Sequence, residues 1–159
     1  MYTYLMVKCL TNQKEFIVQL LNTNEDKEID EELWGFMDEF VKAFQPLYVF
    51  TKKIQEIQLT MGDFYFLWLE CELQLKHINN FYTNLIFNSM DIRKTKLFDN
   101  IAFLSALYMD PRFSFAGSNH LNEIQREKAK VCIKFKNPAN NTNIHICRYN
   151  AYIIFRNTF

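Results

Sequence analysis

Apolar residues recur every three or four positions along most of this chain, the period of amphipathic helices rather than of strands. Leu5, Cys9, Phe16 and Leu20, with Met6, Leu10, Ile17 and Leu21 beside them, predict a first helix over about 4–21. A charged stretch at 22–28 separates it from a second. Asp30 is placed to cap that second helix, and Glu31 and Glu32 suit its first turn. Leu33, Phe36, Met37, Phe40, Val41, Phe44, Leu47, Tyr48, Thr51, Ile54 and Ile57 carry its apolar face onward, and Pro46 is expected to kink or split it near Phe44.

Thr60 and Asp63 have the spacing of a capping box, with Asp in place of the usual Glu or Gln. A long helix is expected to follow, because Leu67, Cys71, Leu75, Ile78, Tyr82 and Leu85 form a heptad-like series. Bundle packing explains that series, and so does a coiled-coil dimer seam. Leu97, Ile101, Leu104 and Tyr108 then mark one apolar face that ends abruptly at Asp110-Pro111. Asp is a good N-cap and Pro a good first helical residue, so a short turn of helix is expected from Pro111. Leu121, Ile124, Val131 and Phe135 predict a last helix over about 120–134. Beyond a polar loop at 137–143, the tail alternates through Ile144 and Ile146 as a strand would.

The pattern predicts an all-α fold, an elongated bundle of about five helices over 1–135, with a divergent tail at 136–159 that is disordered or a short strand. Three Gly and three Pro in 159 residues agree with long helices and few tight turns. Sixteen Phe and eight Tyr exceed what such a core needs. Either aromatic surface is exposed, or a partner or further domain covers it.

The series of motifs resembles the hAT transposase family. The stretch 93–113, RKTKLFDNIAFLSALYMDPRF, is similar to the family's "LFDN…FLxAxYLDPRF" run. Upstream, Trp34, the Phe44-Gln-Pro46-Leu segment, Thr51-Lys-Lys-Ile and Leu59-Thr-Met-Gly-Asp63-Phe follow in the family's order. The resemblance covers roughly residues 4–133. It marks Trp34, Pro46, Thr51, Asp110, Pro111, Arg112 and Phe113 as motif residues with a structural role, and it implies the helical insertion of an RNase H-like transposase. The family's catalytic carboxylates and its zinc-finger DNA-binding region have no counterpart here. What the resemblance implies is a catalytically inactive transposase-derived chain, nuclear, with weak non-specific DNA affinity. The alternative is a helical module that docks a protein partner or a second copy of itself.

Charge refines the DNA expectation. The net charge is zero, yet residues 1–70 hold 6 Lys/Arg against 12 Asp/Glu, and residues 120–159 hold 7 against 2. Arg93, Lys94, Lys96, Arg126, Lys128, Lys130 and Lys134 are the candidate DNA contacts, because phosphate affinity follows local Lys/Arg density. Solvated helix faces explain the same residues, since no uninterrupted basic run occurs.

Little else suggests chemistry. Asp110 stands out, but capping explains it; Asp63, Asp91 and Asp99 read as caps or solvated positions. Arg112 either pairs with Asp110 or Asp99 to lock the turn, or reaches a phosphate. Trp34 and Trp68 are expected in the core. Cys9, Cys71, Cys132 and Cys147 lack CxxC spacing and read as reduced core residues, and His145 with Cys147 supplies only half a zinc site. No cofactor is expected. No stretch reaches the roughly 18 apolar residues of a membrane span, so a soluble, intracellular chain without a membrane partner is expected.

Overall fold

The computed structural model describes residues 1–22, 29–55, 59–115 and 117–135. Every regular element among them is helical: α1 (Tyr2–Asn12), α2 (Lys14–Asn22), α3 (Glu31–Ile54), α4 (Met61–Lys76), α5 (Phe81–Asp99), α6 (Ile101–Met109), α7 (Pro111–Ser114) and α8 (Glu123–Phe135). The all-α expectation holds. The expected tail strand, His145 and Cys147 lie outside the described residues. No described helix is long and apolar enough to cross a membrane.

Among the described residues eight helices stand where about five are expected, because three junctions interrupt apolar patterns that run straight through them. Gln13 leaves helical geometry with φ −104° and ψ 15° and divides α1 from α2. Asn80 starts α5 with a reciprocal capping box, accepting from Thr83 N–H while Thr83 Oγ1 accepts from Asn80 N–H. The expected continuous helix through Ile78 and Tyr82 therefore does not form, and the heptad series from Leu67 to Leu85 is split between α4 and α5. A coiled-coil seam over it is ruled out: Cys71 and Leu75 are buried in the core, whereas Leu85 is exposed. Asn100 ends α5 and caps α6, its side chain accepting from the N–H groups of Ala102 and Phe103. That break turns Ile101 outward, while Leu97 and Leu104 stay buried.

One expected interruption is absent. Pro46 does not split α3, which runs unbroken from Glu31 to Ile54. The missing proline N–H costs the helix one backbone bond. Burial of Trp34, Ala43, Pro46, Phe50 and Ile54 along the same helix holds it together. The boundaries of α3 and α4 fall where capping chemistry places them: Asp30 accepts from Glu32 N–H, and Thr60 with Asp63 forms the anticipated capping box.

The core gathers α3, α4, α5 and α6 around Phe64, Trp68, Leu75, Leu97, Phe103, Leu104 and Leu107, with Leu121 and Ala129 closing it from the α8 side. Its aromatic rings meet mostly edge to face, as Phe50 does with Trp68 and Phe64 with Phe103. α8 packs on α6 and α1 on α3. Trp34 and Trp68 are buried as expected, and so is Cys71. Cys9 is exposed and Cys132 half-buried, so two of the described cysteines are not core residues. Of the apolar positions expected to face inward, Leu5, Met6, Leu10, Phe16, Leu20, Leu33, Phe36, Ile124 and Val131 are also exposed.

Candidate functional site

The strongest polar constellation joins two segments 49 residues apart. α4 begins at Thr60, whose Oγ1 accepts from Asp63 N–H, and this box turns the Asp63 carboxylate toward the start of α7. α7 begins at Asp110, whose Oδ1 accepts from Arg112 N–H, with Pro111 in the first helical position. Arg112 then folds back between the two acids. Its Nη1 donates to Asp63 Oδ1 at 2.8 Å, its Nη2 to Asp110 Oδ2 at 2.6 Å, and its Nε to Asp110 Oδ1 at 3.0 Å. Both carboxylates are thereby held below the ordinary carboxylate range. For Asp63 the Thr60 hydroxyl is the largest contributor and Arg112 a further one; for Asp110 it is Arg112. The two acids in turn push Arg112 upward.

Gly62 makes room for this arrangement. It is buried in the first turn of α4, and a Cβ there would fall inside van der Waals contact of Asp110 Oδ2 and 2.7 Å from Arg112 Nη2. An open trough of about 480 Å³ runs beside the cluster, lined by Thr60, Met61, Ala106, Met109 and Pro111 among others. Behind it stands an aromatic wall. Phe113 is buried, its ring centre 5.1 Å from Tyr65 and 5.4 Å from His120, and the Arg112 guanidinium lies 5.7 Å from the Phe113 ring centre. Burial pushes the Tyr65 hydroxyl up to about 12, with the Glu72 charge adding to it.

Chemically this is a latch. The carboxylates stay ionised and accept from one guanidinium and two helix starts, so neither is poised to give or take a proton near neutral pH. Among the described residues no group of three or more His, Cys, Asp or Glu is placed to hold a metal ion. Asp110 acts as the expected cap, and Arg112 pairs with Asp110 rather than Asp99. Its second partner, Asp63, was missed by sequence reasoning. The signal was present in the glycine: a Gly in the first turn of a well-capped helix marks close approach of another segment.

The other motif residues serve the scaffold. Trp34 is buried with Lys14 Nζ 5.5 Å from its ring centre, and its indole N–H has no partner among the described residues. Pro46 is buried, and Thr51 Oγ1 donates to the Leu47 carbonyl at 2.8 Å.

The seven basic candidates do not form one patch of uncommitted cations. Lys94 Nζ sits 3.0 Å from Glu72 Oε2, and Lys130 Nζ 2.6 Å from Glu127 Oε1. Arg93 binds Ser89, through its hydroxyl and carbonyl. Arg126 collects three backbone carbonyls, of Leu121 at 3.0 Å, Ser118 at 2.8 Å and Ser114 at 3.4 Å, and so clamps the loop between α7 and α8. Its fork is thus turned onto the chain itself. Lys96, Lys128 and Lys134 are exposed. Comparison of the chain with protein-family profiles, with curated proteins and with solved structures finds no match.

Proposed function

We propose that this chain is a catalytically inert helical module of the kind inserted in hAT transposase-like proteins, and that it works in the nucleus by docking through its exposed apolar helix faces. The observation that carries the reading is the closure of Arg112 on Asp63 and Asp110. It joins the Leu59-to-Phe64 and Asp110-to-Phe113 motifs in space, as parts of one helical unit would be joined, and it commits both acids to helix starts and one guanidinium. Exposed apolar side chains, on each of α1 to α6 and on α8, are what the described residues leave for docking.

Weak DNA binding is a second reading, favoured by the exposure of Lys96, Lys128 and Lys134. Electrophoretic mobility of a duplex across a salt series separates the two. The docking reading predicts no retardation at about 50 mM salt. Retardation that falls steeply with added salt, the signature of released counterions, would overturn it in favour of DNA.

A further inference from the structure

The first two helices carry their apolar stripe on the wrong side for packing. α1 turns Tyr4 and Lys8 toward α3, where Tyr4 stacks on Tyr48 at 4.9 Å and both Tyr4 Oη and Lys8 Nζ donate to Gln45 Oε1. Outward it presents Tyr2, Met6 and Cys9, and the same side continues through Gln13, Phe16 and Leu20, all exposed. Those six positions step by four, three, four, three and four, which is the spacing of a coiled-coil seam. Gln13 departs from helical φ and ψ between α1 and α2, yet two bonds in helical register span it: Gln13 N–H donates to the Cys9 carbonyl and Ile17 N–H to the Gln13 carbonyl.

We infer that this seam pairs with the same seam of a second copy of the chain. The inference rests on the docking reading above and names its partner. Three properties of the stripe choose a second copy. Its seam positions, and the flanking Thr3, Leu5, Leu10, Asn12, Ile17 and Gln19, carry no charge, so two identical stripes meet without repulsion. Gln13, the one polar seam residue, has both a donor and an acceptor on its side chain and can pair with its own counterpart. The stripe is also open along its length: Tyr2 is 91% exposed, Phe16 60% and Met6 59%.

Light scattering after size exclusion tests this on the full chain between about 1 and 100 µM. The expected result is a mass rising toward twice 19.2 kDa, with Met6→Glu and Phe16→Glu each holding the chain monomeric at unchanged helical circular dichroism. A second readout needs no variant: the Cys9 thiol should be alkylated several-fold more slowly at the high concentration than at the low one. A wild-type monomer throughout, a dimer that survives both substitutions, or Cys9 equally reactive at both concentrations would overturn the seam. If the chain is monomeric and leaves DNA unretarded, the seam alone fails and another partner covers the stripe. DNA retardation instead removes the docking reading itself.

Discussion

Gly62 and Asp110 occupy a space that admits a carboxylate or a methyl group, not both. The Asp110 carboxylate is fixed by Arg112 and by its capping bond, so it cannot swing aside cheaply. Gly62→Ala is therefore expected to destabilise the fold by about 1–3 kcal/mol, the usual cost of overpacking. In an Asp110→Ala background the same substitution should cost less than half as much, read by urea unfolding of the four proteins.

Acid should weaken the latch. Asp63 and Asp110 both have lowered folded-state values, so the unfolded chain takes up protons first as pH falls. Their contribution is present in full above the ordinary carboxylate value of about 4 and is lost as pH drops through the lower folded-state values. Urea midpoints should therefore fall below about pH 4, and Arg112→Ala should lose less over that interval than the wild type. An identical acid dependence in the two proteins would contradict this.

Asn100 is the residue that makes two helices of one. Its side chain accepts from Ala102 N–H at 2.9 Å and Phe103 N–H at 3.3 Å. Asn100→Ala should cost about 1 kcal/mol and Asn100→Asp much less, since Asp also caps. Thermal unfolding of the pair checks the order.

The thiols should differ in dilute solution. Cys71 is buried and burial pushes it up to about 12, with the Glu72 and Glu70 charges adding to the shift. Cys9 is exposed. Mass-spectrometric mapping of alkylation at neutral pH should find Cys9 modified first and Cys71 protected until the chain unfolds.

Helix content and helix starts were legible in the sequence because caps are local: Asp30, Thr60 with Asp63, and Asp110 with Pro111 each act within a few residues of themselves. Helix ends were less so. The three-to-four periodicity runs unbroken past Gln13, Asn80 and Asn100, and only the side-chain bonds of the two asparagines reveal the breaks. Apolar positions expected inward face outward on α1, α2, α3, α5, α6 and α8, because periodicity locates an apolar stripe but does not say what it packs against. For Arg112 the neighbouring residues left two roles open, locking the turn through Asp110 or Asp99 and reaching a phosphate, and the structure shows the pairing with Asp110. Asp63 lay too far along the sequence to be paired with it, and the basic face of α8 could not reveal that Arg126 turns back onto carbonyls.

The joining of the two motif segments through Asp63 and Arg112 is the centre of this account, and a double-mutant cycle measures it directly. Unfolding free energies of the wild type, Asp63→Ala, Arg112→Ala and the double variant should give a favourable coupling on the order of 1 kcal/mol, as for a well-made pair at the surface. Single-variant effects that add to within about 0.3 kcal/mol would mean that the two segments do not hold one another, and would contradict it.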